Sequence, residues 1–339
     1  MLWGRRSSRF LLGLGGLAVL SMLMTWIVLG RSPQARRGRL VPAWDRGTSA
    51  PRPAERAEAP AESQDFKVQR DIQNYTIQSV CSREGMPRSP YNLEAWEQKT
   101  LFRHIIVNDK YKFLYCYIPK VACSNWKKVI KVLDGKIENV EKRVKMDHRK
   151  DLVFLSDLPA DEVKSRLESY YKFMFVRDPM QRLLSAYRDK FANKAIVDFP
   201  LRYGRDIIRK YRANAPENVN GTDMTFSEFV HYLSDTDPRE MNEHWQPFTK
   251  LCQPCSIQYD FIGTQQNLEA DANHVLRAVG APPSVRFPQR QAYYKPTNKN
   301  ILRQYLSEGS QFSGKRIFNT QGQHVKAQTN SGQTNLKHV

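Results

Sequence analysis

Lys120 and Ser124, four residues apart, and Arg177 and Ser185, eight apart, form two pairs of a cation and a hydroxyl. Each pair suits an anion, the cation supplying charge and the hydroxyl a hydrogen bond. Two such sites suit a nucleotide carrying separated phosphates. His148 lies between them in sequence and is a candidate base, because an imidazole exchanges protons near neutrality. The plain alternative is a pair of ordinary turns with solvated cations, and a histidine that is structural or exposed.

The elements around these residues favour the anion reading. Phe113–Ile118 is an apolar, aromatic run of strand length, stopped by Pro119, which has no N–H for a sheet ladder. Ser124 and Asn125 are good helix N-caps, Trp126, Val129, Ile130 and Leu133 follow at helical spacing, and Asp134-Gly135 closes the helix. Tyr171–Val176 is a second apolar strand ending at Arg177; Asp178 suits an N-cap, Pro179 the first helical position, and Leu183, Leu184 and Tyr187 the buried face. Each unit reads strand, basic loop, helix, and aims backbone N–H groups and a helix N-terminus at the loop. Further strands are expected at Leu152–Leu155 and Tyr259–Gly263, a capping box at Thr225–Glu228, and a helix at Leu268–Val279. Strands alternating with helices predict an α/β domain of three layers with a mainly parallel sheet and P-loop-like nucleotide-binding units.

Pro119-Lys120-Val121-Ala122-Cys123-Ser124-Asn125 resembles the sulfotransferase loop that holds the 5′-phosphosulfate of 3′-phosphoadenylyl sulfate. Arg177-Asp178-Pro179-Met180-Gln181-Arg182-Leu183-Leu184-Ser185 resembles the companion segment for the 3′-phosphate. With MDHRKDLVFL and MNEHWQPFTKLCQPC, these motifs are similar to the Golgi carbohydrate sulfotransferases that act on the 4-hydroxyl of N-acetylgalactosamine in chondroitin and dermatan, over about Val80 to Pro296. The resemblance implies 3′-phosphoadenylyl sulfate as donor and an acidic glycosaminoglycan as acceptor. It gives Lys120 to the leaving oxygen, Ser124 and loop N–H groups to the 5′-phosphate, Arg177 and Ser185 to the 3′-phosphate, and His148 to the acceptor's proton. A sulfuryl group carries less negative charge than a terminal phosphoryl, so no metal is required. Glu243-His244-Trp245 is a candidate acceptor contact: Trp245 could stack on a sugar or simply line the core, and His244 is the rival base.

Lys and Arg number 53 against 34 Asp and Glu, a formal net charge of +19. Such an excess implies an acidic partner. No zinc-finger or RNA-binding signature is present, and the N-terminus argues against nucleic acid. Phe10–Gly30 is 21 residues without a charge. As a helix it reaches roughly 31 Å, enough to cross a bilayer. Arg5, Arg6 and Arg9 favour a cytoplasmic N-terminus, while Arg31, Arg36, Arg37 and Arg39 oppose it. The sequons at Asn74 and Asn220, and the resemblance, favour a type II Golgi protein with a lumenal body.

The expected organisation is a cytoplasmic tail at 1–9, an anchor at 10–30, a disordered stem rich in Pro, Ala, Arg and Glu at 31–75, a lumenal domain at 76–306 and an atypical tail at 307–339. The family's aromatic C-terminal segment has no match in that tail. Of the five cysteines, Cys81 is expected to pair with Cys252 or Cys255 in one disulfide, with Cys116 and Cys123 as buried thiols. Two rival functions fit the same composition: a lumenal kinase of the P-loop type, and a non-catalytic, membrane-tethered binder of acidic polysaccharide.

Overall fold

A computed structural model describes residues 64–142, 148–289 and 297–307. The expected anchor, most of the stem, and the tail beyond residue 307 lie outside them. Among the described residues no helix is long and apolar enough to cross a membrane. In chain order the elements are α1 (Gln64–Cys81), α2 (Ala95–His104), β1 (Ile105–Asn108), β2 (Phe113–Cys116), α3 (Cys123–Leu133), α4 (His148–Asp151) and β3 (Val153–Phe154). Then follow α5 (Ala160–Ser169), β4 (Tyr171–Val176), α6 (Pro179–Lys190), α7 (Arg205–Tyr211), α8 (Phe226–Asp235), α9 (Phe248–Cys252), β5 (Phe261–Thr264), α10 (Leu268–Ala278) and α11 (Lys299–Ser307).

The five strands form one sheet in the order β3-β1-β2-β4-β5. The expectation of a mainly parallel sheet is wrong. β2–β4 and β4–β5 are parallel, but β1 runs antiparallel to both β2 and β3, so the sheet is mixed. The cause is local. β1 was not anticipated, and a short turn joins it to β2, too short for the crossover that a parallel pair needs. Asn108 builds that turn: its Oδ1 accepts from Tyr111 N at 2.8 Å while its Nδ2 donates to Asp134 Oδ1 at 2.7 Å.

The P-loop-like expectation also fails. Ser124 and Asn125 do not cap α3; Ala122 does, in the left-handed region at φ 55° and without a side-chain bond. Lys120 is left-handed too, at φ 72°. Glycines would make that backbone free of strain, whereas each L-residue there costs roughly 1–2 kcal/mol. Val121 N donates back to Ile118 O at 3.3 Å, so one loop amide is spent inside the turn. The second unit follows its expectation more closely. Asp178 caps α6, accepting from Gln181 N at 2.9 Å, with Pro179 in the first turn.

The main core lies on the sheet, where Trp126 of α3 packs against Phe173 and Phe175 of β4. A second core joins α6, α7 and α8 around Phe229 and Trp245, with Ile301, Leu302 and Tyr305 of α11 against it. α1 carries the fold into the stretch expected as stem: Phe66 stacks on Phe261, and the Arg70 guanidinium sits 4.0 Å above the same ring. Two disulfides are present where one was expected. Cys81 pairs with Cys255, and Cys116, expected as a thiol, pairs with Cys252 because the end of β2 lies against α9. Cys123 remains a thiol.

Candidate active site

β2 and β4 are parallel neighbours, so the loops that leave their carboxyl ends lie side by side. A single guanidinium ties them together. Arg182, on α6 and 1% exposed, donates to Pro119 O (2.9 Å), Gln246 O (2.8 Å) and Glu243 O (2.9 Å). It sits in the segment expected to hold a 3′-phosphate, but its hydrogen bonds go to backbone. Burial pulls its pKa down to about 10. Its work is to dock the Pro119 loop and the 243–246 segment on α6.

Lys120 is held from both ends. Arg177 Nη1 donates to its carbonyl at 3.1 Å, and Nη2 donates to Thr297 O at 3.3 Å. The Lys120 ammonium, 10% exposed, lies 3.1 Å from Asp189 Oδ2. Lys190 reaches the same oxygen at 3.2 Å. Burial lowers the Lys120 pKa, and the Asp189 carboxylate opposes that shift. Burial would raise the Asp189 pKa, but Lys120 and Lys190 outweigh it and leave it lowered. Two ammonium groups share one carboxylate, so the cluster keeps a net positive charge, which fits an anionic ligand.

Behind this cluster lies a carboxylate anchor. Glu243 Oε2 accepts from Tyr117 Oη at 3.0 Å and faces His104 Nε2 at 3.2 Å. Burial acts to raise the Glu243 pKa, but hydrogen bonding and charge from His104, with Tyr117 and His244, bring it down to about 2. The Lys127 ammonium sits 3.7 Å above the Tyr117 ring. His244 is next in the chain. Its ring packs edge-on against Phe199, and its Nδ1 lies 2.7 Å from Asn242 Oδ1. Burial lowers its pKa to about 4, helped by Lys190 and Lys120 and opposed by Glu243 and Asp189.

Of the residues expected in the site, Pro119, Lys120, Arg177 and Arg182 meet directly, and His244 joins them electrostatically. Val121, Met180, Leu183 and Leu184 are core residues. Ser124 is exposed in the first turn of α3, and Ser185 is half-buried on α6. Trp245 is 0% exposed and packs among Phe191, Tyr203 and Phe229, so no face of it is open to a sugar. His148 begins α4; its side chain lies outside the description. Both sequon asparagines, Asn74 and Asn220, are exposed. Sequence reasoning passed over Asp189, Lys190, Asn242 and His104. Asp189 carried a usable signal: four residues after Ser185, it lies on the same helix face.

The family model described as "Sulfotransferase family" matches residues 103–320. Carbohydrate sulfotransferase 14 of Mus musculus is 56% identical over 242 residues, covering 71% of this chain and 64% of that protein. The Homo sapiens protein of the same name is 54% identical with the same coverage. Carbohydrate sulfotransferase 9 of Homo sapiens is 43% identical over 60% of this chain and 48% of its own length. The chain thus spans 64% or less of these relatives. No solved structure gives a significant match.

Proposed function

From the premise that the chain belongs to the sulfotransferase family, we propose that it moves a sulfuryl group from 3′-phosphoadenylyl sulfate to a carbohydrate hydroxyl. The observation that carries this reading is the convergence of Lys120, Lys190 and Arg177 beside two parallel strand ends. The acceptor proposed is the 4-hydroxyl of N-acetylgalactosamine in dermatan or chondroitin. Similarity to carbohydrate sulfotransferase 14, and the N-acetylgalactosamine-type motifs in the sequence, support it. Dermatan is the preferred polymer. The setting is the Golgi lumen, with Phe10–Gly30 as a type II anchor and glycans on Asn74 and Asn220.

The residues present fit the donor. Lys120 would hydrogen-bond the bridging oxygen between sulfur and the 5′-phosphate, and Ser124 the phosphate itself. Arg177 and Ser185 take the 3′-phosphate. Lys120 offsets the charge that grows on the leaving oxygen, an interaction stronger in the transition state than in the ground state. Arg182 places the loop before reaction, so little reorganisation is needed. A histidine takes the acceptor's proton; sequence order puts His148 first and His244 second.

The test is transfer of labelled sulfate to desulfated dermatan, chondroitin and heparan, followed by disaccharide analysis. Label at the 4-position of N-acetylgalactosamine supports the reading. Polysaccharide binding without turnover would leave the chain a tethered binder. Magnesium-dependent phosphoryl transfer would make it a kinase, although the Lys120–Ala122 loop lacks the glycines of a P-loop.

A further inference from the structure

Asn242 and His244 make a local constellation that the donor site does not use. The backbone N–H of His244 donates to Asn242 Oδ1 at 3.1 Å. A backbone amide can only donate, so the atom facing it is the side-chain oxygen rather than the amide nitrogen. The Asn242 Nδ2, on the other side, lies 3.5 Å from the Tyr203 hydroxyl. The same Oδ1 is 2.7 Å from His244 Nδ1, so Nδ1 must carry a hydrogen. A neutral imidazole carries only one ring hydrogen, which leaves Nε2 as a bare lone pair.

We propose that His244 Nε2 takes the proton of the acceptor hydroxyl, and that Asn242 is the positioning residue that keeps this nitrogen bare. The proposal rests on the sulfuryl transfer set out above. As the hydroxyl oxygen bonds to sulfur, the bond from sulfur to the bridging phosphate oxygen breaks. The hydroxyl proton passes to Nε2, and Lys120 hydrogen-bonds the departing oxygen. The imidazolium returns the proton to solvent once product leaves.

The frame around the ring supports this role. Arg182 binds the carbonyls of Glu243 and Gln246, on either side of His244, and also that of Pro119, next to Lys120. Base and leaving-group lysine are therefore each one residue from a carbonyl held by one guanidinium. The charges that act on the ring are those of Lys120 from the β2 loop, Asp189 and Lys190 from the end of α6, and Glu243 from its own segment. Burial with the two lysines keeps the ring neutral, the form a base must have. Phosphosulfate at Lys120 and Lys190 offsets those two cations and makes the ring more basic when the donor is in place.

The test pairs spectroscopy with kinetics on the full chain in detergent. Histidine-labelled protein is read by nitrogen NMR, with His244→Gln identifying the signal. The expected spectrum has hydrogen on Nδ1 and none on Nε2; hydrogen on Nε2 overturns the proposal. Asn242→Asp keeps the acceptor but adds a charge, so the acid limb of the turnover profile should move up by about 1–3 pH units, with KM for the donor nearly unchanged. Asn242→Ala should lower turnover with the limb displaced, whereas a purely structural role would leave the limb in place. His244→Gln should cut turnover roughly 10²–10⁴-fold with donor affinity retained. Near-normal turnover in His244→Gln, with loss in His148→Gln, overturns the assignment. If the Nδ1–H tautomer is found but wild-type protein sulfates no acceptor, the proposed function fails and the base assignment falls with it, leaving only the tautomer.

Discussion

The Arg177 guanidinium donates to the carbonyl oxygen of Lys120 at 3.1 Å. The residue proposed for the 3′-phosphate of the donor therefore holds the backbone of the residue proposed for the leaving oxygen. Lys120 is left-handed at φ 72°, a conformation its own side chain disfavours, so the contact helps to hold the loop in shape. The two ends of the proposed donor site are thus tied by one hydrogen bond.

Removing either cation separates the roles. Arg177→Ala should weaken donor binding by about 1.5–3 kcal/mol, the usual range for a lost charged hydrogen bond. It should also lower turnover, because Lys120 loses its support. Lys120→Ala should abolish transfer while retaining part of the donor affinity. Calorimetry on both variants checks this; normal donor affinity in Arg177→Ala would remove Arg177 from the site.

In the proposed donor site, Asp189 would compete with the donor for two ammonium groups, those of Lys120 and Lys190. Asp189→Asn should tighten donor binding severalfold, in line with ~0.5–1 kcal/mol for a partly exposed, screened ion pair. A fall in affinity would show instead that Asp189 orders Lys120 for binding.

Glu243 links stability to pH. Its carboxyl has a folded-state pKa of about 2, below the ordinary 4.5. A depressed acid stabilises the fold above the unfolded value, and that contribution fades as pH falls from about 4.5 towards 2. Glu243→Gln should therefore lower the melting temperature at pH 7 and lose most of that effect near pH 3. Thermal scans of both proteins across pH supply the comparison; a constant difference would rule out the carboxylate's charge as the cause.

The cysteine pattern is checked by peptide mapping without reductant. The expected fragments join Cys81 to Cys255 and Cys116 to Cys252, with Cys123 alone open to alkylation. Cys252→Ala should cost about 2–5 kcal/mol of stability, the usual range for a lost native disulfide in a secreted domain. A Cys81–Cys252 fragment would contradict the structure.

The positive surface should dominate acceptor binding. A chain of net charge +19 binding a polyanion should lose affinity steeply between low and moderate salt. Exposed charges are screened beyond about 8–10 Å at 0.10–0.15 M. Affinity that is flat over that interval would place the acceptor on a different face.

Local chemistry in the sequence was a good guide to caps and loops and a poorer one to the sheet. The Asp178 cap, the Thr225–Glu228 capping box and the two basic loops follow from residue type over a few positions, and the structure contains them. The direction of β1 follows from a turn whose key residue, Asn108, looks like any polar loop residue until its two hydrogen bonds are seen. Arg182 read as a phosphate ligand because its partners are backbone carbonyls far away in the chain. Trp245 left two readings open, sugar platform or core, because its neighbours in the chain, Glu243 and His244, are polar; its burial decides for the core. Cys116 and Cys252 are 136 residues apart, and nothing local announces that pairing.

The Arg182 clamp also bears on how the protein is made. Its acceptors lie 63 residues before it, at Pro119, and 61 and 64 residues after it, at Glu243 and Gln246. A nascent chain that has emerged only to the end of α6 can satisfy one of these bonds and must leave the rest of the guanidinium in water. The two basic loops are then both present and already joined through Pro119 and Lys120, yet the 243–246 segment is not docked on them until translation has passed Gln246. Domains tend to fold as units during synthesis, and here the last part of the clamp to arrive is the one that carries His244. Binding of the donor to a ribosome-stalled chain should thus switch on after that point, rather than when Arg177 appears.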